Sequence, residues 1–204
     1  MRISKKKFIY LISPNTIYPR FYQDLKEVLK TGKVSLFQLR LKKYSFKQKI
    51  LIGKKIKQIC KNYGVKFLIN DDPTLSKTLN ADGCHLGQKD MDLSEARKKI
   101  GNKIIGITCH NSIKFAKNAI KSKANYIAFG AFFPSKTKRV KFKATIQILN
   151  KVKKFTKTPI VAIGGINNEN YKKLLLNNAN FLAISSYIWN NKKYKPIESI
   201  EKLK

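Results

Sequence analysis

The chain has 204 residues, 43% of them hydrophobic and 11% aromatic, which is enough for one sizeable core and excludes a disordered chain. Its formal net charge is +33, yet only five of the 44 basic residues are Arg and the lysines are spread along the whole length. A patch built to read nucleic-acid bases would concentrate Arg, so no specific nucleic-acid partner is expected.

The elements follow in chain order. The opening "MRISKKKFIYLISP" has a basic lead, but its apolar run "FIYLI" is too short for a signal-peptide core or a membrane span. With three cysteines and no CxxC pair, the expectation is a soluble cytoplasmic protein without a membrane partner. Eight short, β-prone apolar runs are predicted strands: 8–12, 34–40, 66–70, 83–86, 103–108, 126–130, 159–164 and 181–185.

Lysine-rich amphipathic stretches lie between these runs. "SFKQKILIGKKIKQICKNYG" carries Ile50, Ile52, Ile56 and Ile59 at near-helical spacing, with Gly64 as a stop. "NSIKFAKNAIKSK" offers Asn111 or Ser112 as an N-cap, and an Asn precedes Tyr171 in "NNENYKKLLLNNA". Apolar strands alternating with helices indicate a parallel sheet under helices. Eight such units predict a single-domain (β/α)8 barrel over residues 1–204; the rival, a doubly wound open sheet, lacks its glycine fingerprint after the first strand.

In a barrel the chemistry sits where strands end. Gln38, Arg40 and Lys42 alternate onto one face at the end of strand 2. Asn70 and Asp71 close strand 3, Gln88 and Asp90 follow strand 4, and Thr108 ends strand 5. Ser135, Thr137 and Lys138 follow strand 6 in "FGAFFPSKTK". Gly164-Gly165 and Ser185-Ser186 end strands 7 and 8, the recurring phosphate position of such barrels. Beside Arg40, Lys42, Asn70 and Lys138, the carboxylates Asp71 and Asp90 would repel a bound anion unless Mg²⁺ bridged them to it. Asp72 reads as a helix cap. Cys84 and Cys109 read as packing, because neighbours on a strand face opposite ways and Cys84-His85 cannot chelate together. His110 is a minor candidate for polar contact, and Trp189 reads as core.

The segments "QLRLK", "LINDDPTLSKTLNADGCHLGQKD", "GITCH", "FGAFFPSKTK" and "VAIGGINNEN", in that order, resemble the thiamine-phosphate synthase family and its tautomerase relatives over most of the chain. The resemblance implies a (β/α)8 enzyme that joins hydroxymethylpyrimidine diphosphate to thiazole phosphate with Mg²⁺. It implies that Arg40, Lys42, Asn70 and Lys138 hold the diphosphate, with Arg40, Lys42 and Lys138 acting in catalysis. It assigns Asp71 and Asp90 to the metal, and Gln38 and Thr108 to the pyrimidine. Ser135, Thr137, Gly165, Ser185 and Ser186 would serve the thiazole phosphate. Asp72 stands where the family often has Arg, Thr108 and Ser135 exchange hydroxyls, and Phe181 replaces a frequent Gly, with a narrower thiazole pocket expected. The alternatives are a tautomerase-like isomerase on the same barrel and a non-catalytic polyanion-binding barrel.

Overall fold

A computed structural model describes residues 7–134 and 142–204. Eight parallel strands close into a barrel in sequence order: β1 (Ile9–Ile12), β2 (Val34–Leu39), β3 (Lys66–Asn70), β4 (Gly83–Leu86), β5 (Ile104–His110), β6 (Tyr126–Gly130), β7 (Ile160–Ile163) and β8 (Phe181–Ile184). The helices between and after them are α1 (Phe21–Lys30), α2 (Phe46–Asn62), α3 (Pro73–Thr78), α4 (Leu93–Ile100), α5 (Ile113–Lys121), α6 (Ile146–Lys153), α7 (Tyr171–Leu176), α8 (Ser186–Trp189) and α9 (Pro196–Glu201). The (β/α)8 expectation is met. β5 runs two residues past its expected end, to His110, with a register slip after Thr108. Among the described residues no helix is long and apolar enough to cross a membrane.

Local signals account for the helix boundaries. Ser45 starts α2 with a reciprocal capping box to Gln48, and Gly64 follows its end at φ +64°, the left-handed region an ordinary side chain resists. Ser112 rather than Asn111 caps α5, accepting from the Phe115 N–H. Asp72 caps α3 through the Leu75 N–H, with Pro73 opening the helix. Asn170 occupies the position before α7, but its side chain turns back: it accepts from the Asn167 N–H and donates to the Gly165 carbonyl, bracing the glycine loop.

Alternation along the strands makes two cores. Side chains such as Phe37, Phe67, Cys84 and Cys109 face the helix layer. Tyr10, Leu36, Leu68, Tyr126, Val161 and Ala183 fill the barrel interior. The inner set is tight: a Cβ added to Gly106 would sit 1.8 Å from the Tyr126 ring, so glycine there makes room for an aromatic residue on the neighbouring strand. All three cysteines are buried and free, as packing requires.

The expected effect of Phe181 is corrected. It is the first residue of β8, registered opposite Val161 and packed against the interior cluster. Four residues of strand, about 13 Å, separate it from Ser185 at the far end. It fills the floor of the barrel and cannot narrow a pocket at the rim.

Candidate active site

Side chains from β2, β3 and β4 meet at the C-terminal rim. Leu39 and Leu41 are buried in the helix-facing core, which turns Gln38, Arg40 and Lys42 to the other side. Arg40 is partly buried; its guanidinium donates to Asn15 at 3.1 Å and its backbone N–H to the Ser13 hydroxyl at 2.9 Å. The Lys42 ammonium reaches an Asp71 carboxylate oxygen at 2.9 Å.

Asp71 leaves β3 at φ +62°, a sparsely populated conformation for a residue with a Cβ. Its backbone N–H is held by the His85 carbonyl of β4 at 2.8 Å, and this pairing aims the carboxylate across the rim. Asp90 folds back onto the β4 loop, accepting from the Gly87 N–H at 2.7 Å. The two carboxyl groups are close enough to shift one another's acidity.

Their acidities part. Burial pushes Asp71 up, but the contacts with Lys42 and Asp90, the Lys42 charge and Asn70 outweigh it and leave the carboxyl below its usual range. Burial raises Asp90, the Gly87 N–H opposes, and the Asp71 carboxylate carries it above the usual range. One lysine therefore does not balance the pair. A cavity of about 350 Å³ opens beside them, lined by Lys42, Lys49, Asn70, Asp71, Asp72 and Leu75.

The barrel interior below the rim is polar along one line. Gln38, 3% exposed, donates from Nε2 to the Tyr10 hydroxyl at 2.7 Å. The Tyr10 and Tyr126 hydroxyls lie 2.8 Å apart, Tyr126 is 2.8 Å from His85 Nδ1, and His85 Nε2 is 2.8 Å from the Thr108 hydroxyl. Burial depresses the His85 imidazole to about 4, with the Asp71 charge opposing, so it is neutral at pH 7. The Gln88 side chain donates to the Thr108 carbonyl at 2.5 Å. Gln38 and Thr108 were expected at a substrate; Tyr10, Tyr126 and His85 were not. The available signals were strand parity, which turns His85 inward opposite Cys84, and the need of a buried tyrosine hydroxyl for a partner.

On the other side of the mouth, Gly164 and Gly165 adopt φ +106° and +63°. A Cβ on Gly165 would come 2.2 Å from the Pro134 carbonyl, and the Phe133 N–H donates to the Gly164 carbonyl. The glycine pair therefore lets the loops after β6 and β7 lie against each other. The Ser185 hydroxyl donates to the Ser13 carbonyl at 3.1 Å. Ser13 also holds the Arg40 N–H through its hydroxyl, so one buried serine stitches the cationic rim to the Gly165, Ser185 and Ser186 side. Ser186 begins α8 and is half-buried. Ser135, Thr137 and Lys138 lie outside the described residues. His110, at φ +53°, stacks on Phe142 with ring centres 4.1 Å apart.

Comparison with known proteins identifies the family. The family described as Thiamine monophosphate synthase matches residues 9–188. A protein of Pelagibacter ubique named thiamine-phosphate synthase is 66% identical over 200 residues, covering 98% of this chain and 97% of its own. One of the same name from Erythrobacter litoralis is 39% identical over 186 residues, covering 89% and 87%. The structure of thiamine phosphate pyrophosphorylase from Pyrococcus furiosus superimposes with a TM-score of 0.84 at 28% identity, covering 97% and 94%. With a closed eight-stranded barrel and a family match over residues 9–188, the chain belongs to the thiamine monophosphate synthase family.

Proposed function

We propose that the whole chain acts as one catalytic domain, a thiamine-phosphate synthase that couples hydroxymethylpyrimidine diphosphate to thiazole phosphate and releases diphosphate. The observation that carries this reading is the Asp71–Asp90 pair beside Lys42. An isomerase acting on thiazole phosphate has no diphosphate to hold and no use for paired carboxylates among cations. A polyanion binder would be weakened by them.

The residues present fit Mg²⁺. Two hard carboxylate oxygens converge, Asp90 is short of positive charge, and the Lys42 ammonium stands where a cation is favoured. Among the described residues no cluster of three His, Cys, Asp or Glu forms a full metal cage. That suits an ion that keeps waters and completes its shell with substrate phosphates. Asp71 and Asp90 would hold it, and when bound it would neutralise charge on the departing diphosphate.

The chain's own groups do the rest. Arg40, steadied by Asn15, and Lys42 meet the diphosphate with Asn70 and Lys138. Gln38 and Thr108 orient the pyrimidine over the mouth, while Ser135, Thr137, Gly165, Ser185 and Ser186 receive the thiazole phosphate. As negative charge gathers on the diphosphate the C–O bond breaks, and the pyrimidine-stabilised cation is captured by the thiazole nitrogen. No protein nucleophile is required; fixed cations and orientation lower the barrier.

The test is incubation of the purified protein with both substrates and Mg²⁺, followed by product mass and diphosphate release. Coupled product with stoichiometric diphosphate is expected. Isomerised thiazole phosphate without coupling, or no product, would overturn the reading.

A further inference from the structure

The five groups Gln38, Tyr10, Tyr126, His85 and Thr108 come from β2, β1, β6, β4 and β5, and their bonds of 2.7–2.8 Å cross the barrel beneath the mouth. The two tyrosines, a neutral imidazole and Thr108 each have one proton to give, so their chain has a sense. Gln38 Nε2 is a donor, so the Tyr10 oxygen accepts and its own proton goes to Tyr126. Tyr126, having accepted, donates to His85 Nδ1. Nδ1 is then the unprotonated nitrogen, and the proton sits on Nε2, which donates to Thr108. The Thr108 hydroxyl proton is left for something outside the chain. At the other end, Gln38 Oε1 accepts from none of the described residues and is not among the sealed polar atoms.

We propose that this buried relay fixes the hydrogen-bonding sense of its two ends, so that Gln38 presents an acceptor and Thr108 a donor to a heteroaromatic ring carrying an amino group beside a ring nitrogen. His85, Tyr126 and Tyr10 are positioning residues that act through Gln38 and Thr108. An imidazolium would donate at both nitrogens and leave the Tyr126 proton without an acceptor, so the order requires a neutral ring. The geometry is locked by packing: Tyr126 stacks on His85 with ring centres 5.6 Å apart and 12° between planes. It meets Tyr10 edge-on at 5.6 Å, and Gly106 leaves room for its ring, since a Cβ there would lie 1.8 Å from it. Reversing one of the inner members requires reversing the others, because each tyrosine hydroxyl and the neutral imidazole has one proton to give. The inference deepens the reading above, since it rests on Gln38 and Thr108 facing the pyrimidine.

The first measurement is ¹⁵N–¹H long-range correlation on the full-length protein labelled at histidine, with His110→Asn used for assignment. His85 is expected as a single Nε2–H tautomer. The second compares hydroxymethylpyrimidine diphosphate with its analogue lacking the ring amino group, for the wild type and Tyr126→Phe. Wild-type kcat/KM should favour the amino compound, and Tyr126→Phe should lose roughly tenfold of that preference, as one hydrogen bond's worth of discrimination goes. An Nδ1–H tautomer, a mixture, or unchanged discrimination in Tyr126→Phe would overturn the proposal. If Tyr126→Phe does not fold, the wild-type tautomer decides. A wild type that makes no coupled product would sink the assigned reaction while leaving the tautomer result standing.

Discussion

The Lys42 ammonium lies 2.9 Å from an Asp71 carboxylate oxygen, bridging the end of β3 and the loop after β2. Lys42 is 57% exposed, so solvent screens the pair and its contribution to stability is small, at most about 1 kcal/mol. Lys42→Met is therefore expected to leave the urea midpoint nearly unchanged while raising KM for the diphosphate substrate about tenfold or more, since a cation facing the diphosphate is lost. Equal losses in folding and binding would show that Lys42 serves the fold instead.

Asp90→Asn should separate function from stability in the opposite direction. The wild-type carboxyl is held above its usual range by burial and by Asp71, so its charge is disfavoured in the fold. An amide still accepts from the Gly87 N–H and removes the repulsion. The melting temperature should hold or rise, and Mg²⁺-dependent turnover should fall by a factor on the order of 100 or more. Lys138→Ala should likewise abolish turnover in a folded barrel; calorimetry beside the coupling assay checks both variants.

Asp72 is adjacent in sequence and different in role. Its side chain satisfies the Leu75 N–H at the start of α3. Asp72→Ala should cost about 1 kcal/mol in denaturant unfolding and leave KM for both substrates within twofold, roughly the scatter of a residue that only caps a helix.

Gly106→Ala should be far more damaging than a surface glycine substitution. The new methyl would lie 1.8 Å from the Tyr126 ring, which is buried and carries two hydrogen bonds. A loss of about 3 kcal/mol is expected, which in a chain of this size lowers Tm by roughly 6–12 °C.

Acid should weaken the fold through His85. Its folded value is about 4, against 6.5 when exposed. Below pH 6.5 the unfolded chain gains a proton that the folded chain refuses, so stability is full above that pH and declines as pH falls toward 4. The drop between pH 7 and pH 5 should be roughly 2 kcal/mol. His85→Gln should flatten that part of the profile; an unchanged slope would assign the titration elsewhere.

The strands were legible because each is an apolar run buried on both faces, a property of five or so consecutive residues. The helix starts were legible because a cap acts within three residues of itself, as Ser45 and Ser112 do. The same short range made Arg40, Lys42, Asp71 and Asp90 readable as rim residues. It misjudged Phe181, although the predicted strand 181–185 already set it at the end opposite Ser185, where it packs in the interior cluster.

Tyr10 and Tyr126 are 116 residues apart in the chain, and as letters they are two more aromatics in apolar runs. They become bonding partners because closing the barrel sets all eight registers at once, and with them which inward side chains share a level. The same closure draws Asp90 against Asp71 and puts Ser13 between Arg40 and Ser185. Periodicity and capping are written in neighbouring residues, since solvent exposure and backbone sterics act locally. The choice of distant partner is made by register and packing, which no short stretch contains.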